Sequence, residues 1–169
     1  MSQVLTKAPA VNLNNPDMQG FGPHLMLDCR GCNIEKISDV AYVFDVLNRL
    51  PDFIGMTKIT QPYVFPYSGL VPEDKGVTGI VVIAESHLSF HSFIEKDYFF
   101  FDLFSCKPFD VSVARQFIMD AFEVQHAETH YVERGLDFPR SEAQSADSMV
   151  KRMPPTSSSF RLELMPVGV

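Results

Sequence analysis

Apolar residues in the middle of the chain come in short runs at strand length, and the runs on either side alternate with stretches of helical period. HLMLDC (24–29) reads as a strand, entered through the glycines and proline just before it. Asn33 can cap a helix running to about Arg49, with Ile34, Ile37, Val40, Ala41, Phe44 and Leu47 on one face and Leu50-Pro51 as its stop. Residues 53–65 form a less regular strand, and PYSGLVPEDKG is a turn-rich loop. GIVVIA (79–84), SHLSFH (86–91) and YFFFDLF (98–104) follow, all β-branched or aromatic. Asp110 can cap a second helix whose stripe is Val113, Ala114, Phe117, Ile118, Ala121 and Phe122, and a last strand lies near 127–133. Residues 1–20 lack periodicity and read as a flexible arm. From about 136 the chain is rich in Ser, Pro and charge, and reads as a loose tail with a terminal strand at FRLELM.

The order β-α-β-β-β-β-α-β predicts an α+β fold, a two-layer sandwich with a mainly antiparallel sheet and two helices on one face. The domain occupies residues 21–135, and no internal repeat is present. With 169 residues, 46% of them hydrophobic, one domain with a real core is expected. A formal charge of −7 argues against nucleic acid or an anionic membrane as partner. No apolar run approaches the roughly 18 residues of a membrane span, and the first residues lack the apolar core of a signal peptide. Three cysteines make no disulfide framework. A soluble, reducing, cytoplasmic setting is the expectation.

The polar residues inside the central hairpin carry the candidate chemistry. SFIEKD reads as a turn centred near Ile94-Glu95, which pairs residue 86 with 103 or 104. Cys106 then lies within about 7 Å of Ser86 along the strand. Strict alternation puts His91 on the opposite face from Ser86, beside His87 and Ser89, so that only a bend at residues 85–86 would bring the two together. No G-x-S-x-G elbow surrounds Ser86, which argues against a Ser/His/Asp hydrolase. His87 and His91 are spaced for a helix face rather than a strand, so no metal site is expected. Taken singly, Ser86 is an ordinary strand-end serine, His87 and His91 core histidines, and Cys106 a small buried hydrophobe. Cys29 and Cys32 spell C-x-x-C without a second pair and read as structural.

In combination, GVTGIVVIAESHLSFHSFIEKDYFFFDLFSC (76–106) resembles the core of the prokaryotic class of S-adenosylmethionine decarboxylases, in which E-S-H-L-x-x-H precedes an aromatic strand ending D-x-F-T-C-G. HLMLDCRGC resembles that family's opening strand, and the resemblance covers about residues 22–134. It implies a self-cleaving enzyme, cut between Glu85 and Ser86, whose cofactor is a pyruvoyl group made from Ser86. A carbonyl conjugated to an amide can accept the electrons left by decarboxylation once it forms a Schiff base with the substrate amine.

By the same resemblance His91 takes a proton during processing, Thr78 stands where a serine aids cleavage, and Cys106 protonates the substrate carbon. Phe93, Glu95 and Phe65 face the substrate. The expected substrate is S-adenosylmethionine, on the route to spermidine, and the expected assembly is a homodimer with sites near the subunit interface. Thr78 replaces Ser, Phe93 replaces Trp, Ile94 replaces Pro and Lys107 replaces Gly. These departures keep two alternatives open: a decarboxylase of arginine or ornithine on the same scaffold, and an uncleaved homologue that acts as a binding or regulatory partner.

Overall fold

The computed structural model describes residues 20–69 and 71–138. The expected arm, up to residue 19, and the tail from residue 139, including FRLELM, lie outside the described residues. All helices and strands below belong to one compact unit ending at Leu136; Asp137 and Phe138, the described residues beyond that unit, form neither helix nor strand.

In chain order the elements are β1 (Gly22–Arg30), α1 (Ile34–Ser38), α2 (Val40–Phe53), β2 (Tyr63–Tyr67), β3 (Gly76–Ile83), β4 (Ser86–Phe93), β5 (Tyr98–Ser105), α3 (Val111–Phe122) and β6 (His126–Arg134). The strands form one six-stranded sheet in the order β2-β3-β4-β5-β1-β6, with every neighbouring pair antiparallel. The expected α+β sandwich is present.

Alternation decides which side of the sheet is covered. Leu25, Leu27 and Cys29 of β1, Val81 and Ile83 of β3, Leu88 and Phe90 of β4, and Phe99, Phe101 and Leu103 of β5 are buried, and they form one core with residues of all three helices. Phe90 stacks on Phe122 with centroids 5.0 Å apart, and Phe99 meets both rings at 5.0 and 5.1 Å, so β4, β5 and α3 share one aromatic cluster. Gly79 lets α2 lie close to β3: a Cβ there would sit 2.5 Å from Leu47 Cδ1. Buried Ser92 is fully used, since its Oγ accepts from the Val77 N–H and donates to the Ile37 carbonyl, each at 2.8 Å. Among the described residues the opposite sheet face is left open, with Ile80, Val82 and Phe100 each at least 40% exposed.

Three expectations are corrected. The first helix is two helices, because Asp39 is extended, ends α1 and caps α2; its carboxylate accepts from the N–H groups of Ala41 and Tyr42. The break resets the helical phase, so Val43, Val46, Leu47 and Leu50 are buried, whereas the expected Ile34 and Ala41 are exposed and the expected Val40 and Phe44 are only partly buried. Pro51 does not stop α2 but sits buried in its last turn, which replaces the first residues of the expected strand at 53–65. The β4–β5 turn is longer than expected: Phe93 pairs with Tyr98 across Ile94–Asp97, and Ser86 pairs with Ser105 rather than 103 or 104. Asp97 sets this register by adopting a left-handed conformation (φ 48°) while its carboxylate accepts the Cys32 N–H at 2.6 Å. No described helix is long and apolar enough to cross a membrane.

Candidate active site

The β3–β4 hairpin closes through Ala84-Glu85, because Ile83 pairs with Ser86. Two-residue hairpin turns usually need positive φ within the turn, supplied by Gly or Asn. Here the unusual angle falls on the following residue, with Ser86 at φ +153°. Strain of this kind persists only where the surroundings enforce it, and the surroundings do so. The Glu85 carboxylate accepts the Thr57 N–H at 3.0 Å, the Ala84 N–H donates to the Thr57 carbonyl at 2.8 Å, and the Cys106 N–H donates to the Glu85 carbonyl at 2.8 Å. The last bond polarises the carbonyl carbon of the peptide bond joining Glu85 to Ser86. Beyond it, the Ser105 hydroxyl bonds both the N–H and the carbonyl of Lys107, fixing the bend that presents Cys106. The Cys106 side chain is half-buried, and the Ser86 hydroxyl lies 3.0 Å from His87 Nδ1.

The remaining candidates gather at the other end of β4. Phe65, Thr78, His91 and Phe100 form one cross-strand row over β2, β3, β4 and β5. His91 Nδ1 is 2.5 Å from Thr78 Oγ1, and its ring lies 4.7 Å from Phe93 and 5.7 Å from Tyr67. Burial lowers the His91 pKa below the usual histidine value, with Asp74 pulling the other way, so the ring is biased toward its neutral, proton-accepting form. Glu95 is exposed in the turn beyond Phe93. Ser86 and His91 are five residues apart on an unbroken strand, about 17 Å at roughly 3.3 Å per residue. Glu85, Ser86 and Cys106 therefore form one group in the chain, and Thr78, His91, Phe93 and Phe65 another. No bend at 85–86 brings His91 to Ser86, since β4 keeps its pairing with β5 from Ser86 to Phe93.

The sequence profile of "S-adenosylmethionine decarboxylase" matches residues 23–135, a span that contains both groups. The chain belongs to the S-adenosylmethionine decarboxylase family. Among its relatives, the S-adenosylmethionine decarboxylase proenzyme of Bacillus velezensis is 29% identical over 119 residues, 70% of this chain and 90% of that protein. The proenzyme of Pyrococcus furiosus is 28% identical over 121 residues, 71% of this chain and 83% of that one. The crystal structure of the adenosylmethionine decarboxylase from Aquifex aeolicus superposes with a TM-score of 0.60 at 25% identity, covering 69% of this chain and 92% of that one.

Within this member of the family, several neighbours of the two groups are not legible in the sequence. Thr57 and the main-chain N–H of Cys106 hold the turn through backbone atoms, which residue identity does not reveal. Tyr67 flanks the His91 row and Phe100 ends it; in the sequence Phe100 is legible only as part of the strand YFFFDLF. His87 reads in the sequence as a core histidine, yet it sits on the open face beside Ser86 and edge-on to Phe104, with centroids 6.0 Å apart. Cys29 and Cys32 are buried free thiols, each pushed up to about 12 chiefly by that burial, which suits the structural role expected of them.

Proposed function

We propose that the chain is a self-cleaving, pyruvoyl-dependent decarboxylase of S-adenosylmethionine that serves spermidine synthesis. The observation that carries this reading is the Glu85–Ser86 junction, where a hydroxyl, a strained backbone and a carbonyl polarised by the Cys106 N–H coincide. These are the requirements for an N→O acyl shift. Ser86 Oγ adds to the Glu85 carbonyl carbon, the oxygen is held by the Cys106 N–H, and loss of the C–N bond leaves an ester and a free amine. Removal of the residue-86 α-proton then expels Glu85 as a carboxylate. One water hydrolyses the resulting dehydroalanine with release of ammonia, giving a pyruvoyl group at position 86.

His91 is the base for the α-proton, and Thr78 orients it through Nδ1. Its distance from Ser86 along β4 is met by a second copy. When open faces pair about a two-fold axis with the two β4 strands antiparallel, the His91 end of one copy lies over the Ser86 end of the other. The exposed apolar residues of that face support such a homodimer. In turnover the pyruvoyl group supplies the electron sink. Phe93 and Phe65 offer aromatic faces to the cationic substrate, Glu95 adds a negative charge at the mouth, and the Cys106 thiol delivers the proton that replaces CO₂.

Intact mass under denaturing conditions tests this directly. The wild-type chain of 19.1 kDa should resolve into two chains broken before position 86, and Ser86→Ala should stay whole. Cleaved protein should release CO₂ from S-adenosylmethionine, and Cys106→Ala should cleave yet lose turnover. A wild-type chain that stays uncut after long incubation would sink the reading, and CO₂ released from arginine or ornithine instead would overturn its substrate.

A further inference from the structure

We propose that His87 is the base that starts cleavage, taking the Ser86 hydroxyl proton as that oxygen attacks the Glu85 carbonyl; the inference rests on the self-cleavage reading above. Consecutive side chains of a regular strand point to opposite faces and do not meet. Ser86 and His87 do meet, with Oγ 3.0 Å from Nδ1, and the irregular backbone at Ser86 is what permits it. The strain at position 86 therefore has a chemical consequence: it turns the hydroxyl toward the neighbouring imidazole. The same hydroxyl adjoins the carbonyl that accepts the Cys106 N–H at 2.8 Å. Nucleophile, base and oxyanion donor are thus assembled within one chain before any partner is involved. His91 of the same chain does not fill this role, since it lies about 17 Å along the strand, and the His91 brought by a second copy has its Nδ1 engaged by its own Thr78.

The step balances without a co-reactant. The Ser86 O–H bond breaks and its proton passes to Nδ1 of neutral His87, while Oγ bonds to the Glu85 carbonyl carbon and the carbonyl oxygen takes the negative charge. On collapse, the bond between that carbon and the residue-86 nitrogen breaks, and Nδ1–H returns the proton to the nitrogen. The products are the ester, a free amine and neutral imidazole. Two histidines then divide the processing: His87 serves the acyl shift, and His91 serves the elimination.

Hydroxylamine cleaves esters and separates the two steps. In full-length His91→Ala protein, blocked at elimination, a hydroxylamine-labile ester should accumulate at residue 85. Adding His87→Asn, whose amide oxygen can accept the Ser86 hydrogen bond but cannot carry the proton, should slow ester formation by about 100-fold or more. His87→Gly in the same background should be slowed likewise and partly restored by added imidazole. Melting temperatures and far-ultraviolet circular dichroism close to those of the parent identify which variants are folded, and the folded Asn variant decides if the Gly variant is not. Ester forming at the parent rate in His87→Asn would overturn the proposal, because a hydrogen-bond acceptor would then suffice. An uncut wild-type chain would instead overturn the self-cleavage reading itself, which keeps the two failures distinct.

Discussion

The chemistry proposed at the Glu85–Ser86 junction relies on a main-chain contact, and that contact relies on a residue remote in sequence. The Cys106 N–H reaches the Glu85 carbonyl because β1 passes close behind the bend at Ser105-Cys106. Gly22 makes this passage possible: a Cβ there would lie 1.8 Å from the Ser105 carbonyl oxygen and 2.8 Å from Cys106 Cα. Both are backbone atoms, so neither can swing aside. Gly22→Ala should push the 105–106 segment away, lowering stability by about 1–3 kcal/mol through overpacking and slowing self-cleavage by about tenfold or more as the carbonyl loses its donor. Denaturing electrophoresis over time gives the rate and a urea titration the stability. A destabilised variant that cleaves at the wild-type rate would remove the Cys106 N–H from the mechanism. Hairpin arithmetic brings Ser86 and Cys106 together from the sequence, because side-chain identity and strand period suffice for that. It cannot show the amide donor, the Gly22 contact or the Ser86–His87 bond, all of which arise from backbone geometry at a strained turn.

At the scale of elements, the features obscure in the sequence lie where a polar side chain bonds backbone and resets a period. The strand run from β3 to β5 is legible because buried and open positions alternate through most of each strand, and α3 because Asp110 caps a stripe whose Ala114, Ile118 and Phe122 are buried, although Val111 takes the buried place expected of Val113, which is exposed. The α1–α2 junction is not legible, since nothing in the apolar pattern says that Asp39 leaves the helix. Its Oδ1 takes the Ala41 N–H at 2.8 Å and the Tyr42 N–H at 3.2 Å, so two donors at the start of α2 rely on one carboxylate. Asp39→Ala should cost about 0.5–2 kcal/mol, measured by urea unfolding. The substitution lies in the helical layer, away from the clamped turn, and self-cleavage should keep its rate. A cost near zero would mean that packing of Val43, Val46 and Leu47, not the cap, holds the start of α2. Asp97 is the same lesson in a strand connection: one left-handed residue, bonded to the Cys32 N–H, moves the β5 register and brings Cys106 next to the partner of Ser86.

At the scale of the molecule, the proposed machinery is divided between the two ends of β4, and one chain cannot close the distance. The hydroxyl to be converted, its carbonyl and the cysteine stand at one end; the neutral imidazole, its threonine and the aromatic rings stand at the other. An open sheet face with exposed Ile80, Val82 and Phe100 joins them. The proposed two-fold pairing of such faces would form two complete sites, each taking its clamped turn from one copy and its His91 end from the other. This arrangement makes a prediction that no single-chain site can satisfy. Ser86→Ala cannot cleave for want of a nucleophile, and His91→Ala should stall for want of the elimination base. Unfolded together and refolded as a mixture, the two form a heterodimer in which one site joins the intact Ser86 of the His91→Ala chain to the intact His91 of the Ser86→Ala chain. That site should cleave, and mass spectrometry should find the His91→Ala chain cut and the Ser86→Ala chain whole. About half of the His91→Ala chains should be cut when equal amounts pair at random. If the mixture stays uncut while a wild-type control refolded in the same way is cleaved, His91 does not serve the opposite copy.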